Sequence, residues 1–413
     1  VTWRFLSFLP LLPPAAEVVG GTQIRPSELF RRCSERGHRV RVLETDNPEG
    51  APRSEGLVEI GPLTTRRRGA VGLAQRILEM RRVLRDEARA AASAGERLCY
   101  YAKLPTGFVF KRGVLPAPTH PGALLLPLAR KLGAVTWAAV HDLSPDHERQ
   151  MLLRADAWSR TERRQMEWKA RLGAFSQRQA FRHASFLSAV SPPLLETLRR
   201  RYSLDPRRLA VFWSGVAPHL VEPIPAWEPP LNRPWRVGYL GSPFDVSFEL
   251  LARSLRALGR DDVVLVLGGL EPSRHAERAR AIYPRLEVVD GIRYQGYAAF
   301  AERIDLWALP FDDPYCLQIA WQLKVPLALA SGRPFVRSRG PVVETSDLAP
   351  YMGLGGTSPE SFAAALQSVM EDPQSAKERA ATARAEVLRR YTWDVLCDGL
   401  LERLEEATRL AGP

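Results

Sequence analysis

The sequence predicts an α/β protein of two Rossmann-like, doubly wound domains, and three observations carry that expectation. At 413 residues the chain exceeds what one hydrophobic core usually organises, so two cores are the natural arrangement. Short, β-rich apolar runs alternate with longer helical patterns from the first residues onward, which is the rhythm of parallel strands covered on both faces. A proline-rich stretch from Pro218 to Trp235 interrupts the rhythm, and the rhythm then restarts.

Taken in order, the runs "WRFLSFLP", "HRVRVLET", "LVEIGP", "RLCYYAK", "VTWAAVHDL", "ASFLSAVS" and "RLAVFWSG" read as strands of the first domain. Helical patterns lie between several of them, over 26–36, 71–94, 122–132 and 192–202. After the prolines, "WRVGYLGS", "DVVLVLGG", "LEVVDG", "IDLWALPF" and "RPFVRS" repeat the pattern, with helices over 248–258 and 359–371. The tail from 374 to 410 is helical and charged, broken around "YTWDV", as two helices meeting at an angle would be. The expected domains are therefore 1–217, a stiff linker over 218–235, a second domain over 236–391, and a closing helix over 392–413 that packs back on the first domain.

Composition narrows the function. With 45% hydrophobic and 25% charged residues the chain is an ordinary globular protein, neither fibrous nor disordered. The uncharged stretch from Phe5 to Ala16 is too short and too broken by proline to span a bilayer, and it reads as a buried strand rather than a secretory signal. Cys33, Cys99, Cys316 and Cys397 are scattered without paired spacing, so no metal site and no disulfide framework is expected, and a reducing cytoplasm fits.

The net charge of +12 is unevenly placed. Residues 1–215 hold 36 Lys and Arg against 20 Asp and Glu, a net of +16, whereas the remainder has 22 against 26. An anionic partner for the first half, or simply arginine-rich solvated helix faces, accounts for this asymmetry. No nucleic-acid-binding motif accompanies the charge, so no nucleic acid is expected. The stretch from Arg154 to Ala184 mixes Trp158, Trp168, Phe175 and Phe181 with many arginines. Such a helix suits an anionic membrane surface or an acidic acceptor, and core aromatics beside a solvated face give the same composition.

Two segments stand out chemically. In "VVGGTQIRPSELFRRCSERGHRVRVLE" a strand leads through Gly20 and Gly21 into a helix expected to start near Pro26, an arrangement that lets backbone N–H groups approach an anion and that a tight turn also needs. In the long apolar stretch after Asp313 stands one cation, Lys324, which must either snorkel to water or face an anion.

The order of these features, with "VHD" after a strand, "ASFLSAVSPPLLETLRRRY", "VFWSGVA", "RVGYLGSPFD", "LKVPLALASGRPFV" and the terminal "ARAEVLRRYTWDVLCDGLLERL", resembles the GT-B glycosyltransferases of the retaining family 4, over nearly the whole chain. The resemblance implies two domains facing a cleft, with closing helices that cross back. It also implies a nucleotide diphosphate sugar as co-substrate on the second domain, a glycan, lipid-linked or small acceptor on the first, and neither cofactor nor metal. The resemblance further implies donor contacts at Gly20, Gly21, Gly241, Ser242, Gln322, Lys324 and Glu344. His141 and Asp142 are implied on the acceptor side, and His141 and Lys324 in catalysis.

Lys324 matches the lysine that some members place three residues before a glutamate. It is expected just ahead of a helix that Pro326 opens and Gly332 ends. Three departures from the family pattern are visible. Leu327 and Ile319 occupy the two glutamate positions, no cation follows Gly241, and "SGVA" at 214–217 replaces a more polar turn.

Overall fold

The protein was analysed as a computed structural model, which describes residues 1–9, 21–45, 52–64, 69–104, 108–109, 117–118, 121–141, 159–241, 248–269, 273–319 and 321–411. Two sheets organise it. The first contains β1 (Trp3–Leu9), β2 (Arg39–Glu44), β3 (Arg53–Glu55), β4 (Val58–Pro62), β5 (Arg97–Leu104), β8 (Val135–Val140), β9 (Phe186–Ala189) and β10 (Leu209–Val211), with a small hairpin of β6 (Phe108–Val109) and β7 (Ala117–Pro118) beside it. Its spatial order is β10-β9-β8-β5-β1-β2-β4-β3, parallel except at the β3 edge. The central strands are apolar because helices cover both faces, and every residue of β8 is buried.

The helices of this half are α1 (Gly21–Glu35), α2 (Gly69–Ser93), α3 (Leu126–Lys131), α4 (Arg160–His183) and α5 (Pro192–Tyr202). Helix α1 starts five residues earlier than the expected Pro26. Proline at the sixth position removes the one bond its N–H would make to the carbonyl of the second residue, a cost confined to the first two turns of the helix. The winding reverses between β1 and β5, which places α1 at the crevice beyond the carboxyl ends of those strands.

The second sheet contains β11 (Trp235–Leu240), β12 (Val263–Gly268), β13 (Leu286–Val289), β14 (Leu306–Leu309), β15 (Phe335–Ser338) and β16 (Gly353–Gly355). Its order, β13-β12-β11-β14-β15-β16, is parallel throughout and switches direction between β11 and β14. Around it lie α6 (Phe248–Leu258), α7 (Ser273–Ile282), α8 (Tyr297–Ala301), α9 (Pro314–Gln318), α10 (Lys324–Ala330), α11 (Pro341–Glu344), α12 (Pro359–Glu371) and α13 (Pro373–Arg390). This is the two-domain, doubly wound α/β fold.

The proline-rich stretch is no free spacer. Leu220, Ile224 and Trp227 are buried. Arg384 donates to the carbonyls of Val221 and Ile224, each at 2.9 Å, and Arg333 donates to that of Pro225. Proline supplies stiffness, while the apolar residues between the prolines anchor the segment to the second domain.

The chain then crosses back. The Val216 N–H donates to the Tyr391 carbonyl at 2.8 Å, and the Trp393 N–H to that of Val216 at 3.0 Å. Gly215 lies so close to this crossing that a Cβ there would sit 2.7 Å from the Trp393 ring. The last helix, α14 (Trp393–Ala411), lies against α1, where Arg36 pairs with Asp398 at 2.7 Å and the buried thiols of Cys33 and Cys397 are 3.6 Å apart. Among the described residues no helix is long and apolar enough to cross a membrane.

Candidate functional site

The second sheet presents its switch point between β11 and β14. Strand β11 ends at Gly241, whose φ is +133° and whose N–H donates to the Gly268 carbonyl at 2.9 Å. A side chain would be strained at this φ, and its Cβ would lie 2.8 Å from the Lys324 ammonium nitrogen, which would have to move. Lys324 is half-buried. Its ammonium donates to the Tyr239 hydroxyl at 2.6 Å and lies 4.5 Å from the centre of the Tyr239 ring. Two expected site residues 83 positions apart in sequence, Gly241 and Lys324, are thus in contact at the one place where a doubly wound sheet opens a crevice.

The strap that carries Lys324 is held on several sides. Ser191 of the first domain donates its hydroxyl to the Ile319 carbonyl at 2.8 Å. Trp321 meets Trp213 edge to face, ring centres 4.7 Å apart. Beneath lies Arg337, wholly buried, its guanidinium 5.1 Å from the Phe311 ring centre and 5.9 Å from that of Trp321. Burial pulls the Arg337 pKa down to about 9. Arg337 therefore keeps its charge at neutral pH while stacked under the strap. Gln322 is half-buried, and among the described residues its side-chain oxygen has no hydrogen-bond partner.

Helix α10 begins at Lys324 itself, not one or two residues after it. Pro326 does sit in its first turn, and the chain leaves it through Gly332 at φ +70°. At seven residues this helix contributes little dipole of its own, so the positive charge here is that of the lysine. Leu327, at a position of the family glutamate, is 5% exposed and packs in the core; Ile319 is 8% exposed.

The remaining expected contacts are spread out. Glu344 ends α11 and pairs with Arg339 at 3.5 Å near the surface. His141 follows β8 at the carboxyl end of the first sheet, half-buried, its N–H donating to the Leu104 carbonyl at 3.3 Å. Gly21 is the first residue of α1. Gly20, Asp142 and Ser242 lie outside the described residues.

Four further residues hold the elements around these positions without having been expected. Tyr239 reads in sequence as one more strand aromatic. Trp213 and Ser191 read as core and cap. Arg25 looks like an ordinary helix arginine, yet it is buried, and it donates to the Phe212 carbonyl at 2.8 Å and to the Ser214 hydroxyl at 2.7 Å. Burial lowers its pKa to about 10. Ser214, a departure from the family turn, is therefore engaged by α1 of its own domain.

Two comparisons decide the fold family. Residues 20–215 match the family model described as a glycosyl transferase 4-like domain. Among solved structures, a sucrose-phosphate synthase from Thermosynechococcus elongatus superposes with a TM-score of 0.68 at 15% identity, covering 99% of this chain and 100% of that one. The chain has the GT-B fold. A glycosyltransferase from Rickettsia africae is similar at a TM-score of 0.64 and 12% identity over the full length of both chains. HepE of Anabaena, solved with UDP and glucose, gives 0.64 at 15% identity, covering 97% of this chain and 99% of that one. No curated protein matches by sequence. In a GT-B fold the Gly241–Lys324 crevice belongs to the second of two facing Rossmann-like domains.

Proposed function

We propose that this protein is a metal-independent glycosyltransferase that moves a sugar from a nucleoside diphosphate sugar to a glycan, lipid-linked or small-molecule acceptor, with retention at the anomeric carbon. The observation that carries this reading is Lys324 standing over Gly241 at the switch point. As the glycosidic bond breaks, its electron pair passes to the leaving diphosphate, and a preorganised ammonium beside a bare backbone lowers the cost of that charge. The acceptor hydroxyl forms the new bond to the anomeric carbon and yields its proton to a phosphate oxygen of the leaving group. His141 and the start of α1 face the cleft from the first domain, where they would orient sugar and acceptor. The UDP and UDP-glucose in the HepE structures make uridine the first base to try. A cytoplasmic site of action and a part in polysaccharide biosynthesis belong to the same proposal.

Calorimetry with UDP and GDP, followed by donor hydrolysis over a panel of nucleotide sugars, tests it. Diphosphate binding that weakens in Lys324→Ala supports the reading, and no binding and no hydrolysis across the panel sinks it. Proton NMR of the product gives the anomeric outcome.

Leu327 and Ile319 favour a second reading, a relative that keeps the fold and binds a glycan, nucleotide or protein without transfer. Two buried apolar side chains stand where the family has carboxylates that hold the donor. Tight nucleotide binding without turnover of any donor would select it.

A further inference from the structure

Helix α4 packs against the first domain through Ala170, Gly173, Ser176 and Ala180, with Gln177 and Phe181 near its end, whereas Trp168 and Phe175 point outward, 56% and 63% exposed. An isolated exposed aromatic needs no explanation, but these two share one stripe with four exposed arginines: Arg164, Trp168, Arg171, Phe175, Arg178 and Arg182 follow at spacings of four, three, four, three and four. Among the described residues none of these four arginines makes an ion pair. Two hydrophobic rings flanked by cations along one helix edge, on a half of the chain with net charge +16, complement a surface that is anionic and has an apolar layer beneath its charge.

The place of the stripe in the fold matters as much as its composition. Chain direction puts the start of α4 at the carboxyl end of β8, the end that carries His141, and its finish at the amino end, where the Ser185 N–H donates to the Thr136 carbonyl at 2.7 Å. The first fully buried residue is Ala170, so the ten residues from Arg160 to Lys169, about 15 Å of helix on the cleft side, are only exposed or half-buried.

We propose that α4 docks the protein on an anionic lipid bilayer through this stripe, with Trp168 and Phe175 at the headgroup level and the arginines on lipid phosphates. That orientation sets the acceptor side of the cleft toward the bilayer and selects a lipid-linked acceptor. The acceptor part rests on the transferase reading; the docking does not.

Flotation of the purified full chain with phosphatidylcholine vesicles, with and without about a third phosphatidylglycerol, tests it. The expected result is binding to the anionic vesicles that falls with salt, and little binding to neutral ones. Trp168→Ser with Phe175→Ser should weaken that binding about tenfold, and Arg164→Gln, Arg171→Gln and Arg178→Gln together on the order of a hundredfold. All five positions are exposed and outside the donor crevice, so both variants keep the parent's melting temperature and UDP affinity. Equal binding to the two vesicle types, binding to neither, or variants that bind like the parent would overturn the docking, including the case in which an acidic protein is the true partner. Docking with transfer only to soluble acceptors would overturn the acceptor part alone, and docking by a chain that binds no nucleotide would leave the docking standing while removing the transferase reading and the acceptor part with it.

Discussion

The two halves of this protein share one winding and differ in charge. Both sheets reverse direction beside their first strand, at β1 and β5 in one and at β11 and β14 in the other, so each offers a crevice at the same topological place. The first half carries a net +16, yet a buried arginine of its α1, Arg25, is tied to Phe212 and Ser214. In the acidic second half, one lysine stands over a bare glycine at the crevice. Net charge describes the surface at large, whereas the proposed chemistry rests on the position of a single cation.

The strongest way to break that contrast is to remove the cation. Lys324→Ala should lower donor turnover by about a hundredfold to a thousandfold and UDP affinity by about tenfold or more. Thermal melting should change little, since the ammonium is half-buried and its neutral partner is a hydroxyl. Donor hydrolysis and calorimetry read the two effects separately. If UDP bound the variant as tightly as the parent, the crevice of the second half would not be the donor site.

A second test concerns what replaced the family glutamate. Leu327 is 5% exposed within α10, beneath the strap that carries the site, so Leu327→Ala should cost about 2–4 kcal/mol of stability by leaving a cavity. Urea unfolding measures it. A cost well under 1 kcal/mol would mean that the position opens on the cleft, and that a ligand rather than the core occupies the space of the missing carboxylate.

Some of this was legible in the sequence, for physical reasons that differ residue by residue. Alternating apolar runs report strands wherever both faces are covered, and a proline-rich break reports a division between cores. Gly241 and Lys324 stand out because a glycine at a strand end and a cation in an apolar run each violate the local pattern. Tyr239 and Arg25 violate nothing: a tyrosine in a strand and an arginine in an amphipathic helix are what those elements commonly contain. Their roles arise only from residues 85 and 187 to 189 positions away. Pro26 misplaced the start of α1, because one lost backbone bond is too small a cost to stop a helix whose other face is well buried. The prolines of 218–235 suggested a stiff linker, and the burial of Ile224 and Trp227 between them was not legible from the prolines.

In the basic half the corresponding test is structural. Ser214→Ala removes one acceptor from a buried guanidinium and should cost about 1–3 kcal/mol. Combining it with Arg25→Met should recover part of that loss, because an apolar chain of similar length leaves no donor unpaired. A double-mutant cycle by denaturant unfolding gives the coupling. Additive losses would show that Arg25 is held by the Phe212 carbonyl alone.

The smallest effect is a pH dependence of the first half. His38 closes the turn between α1 and β2, and its Nδ1 accepts the Trp3 N–H at 3.2 Å, so the fold needs that nitrogen unprotonated. Burial lowers its pKa below the usual 6.5. The unfolded chain therefore takes up the proton at a higher pH than the folded one. Its contribution is complete above pH 6.5 and is lost as the pH falls from there through the lower folded value. His38→Asn keeps an acceptor for Trp3 without titrating, so its stability should fall less than the parent's between about pH 8 and pH 5. Parallel unfolding curves for the two proteins across that range would mean that another group sets the acid sensitivity of this half, and that the Trp3 contact is made equally well by the imidazolium after a change of partner.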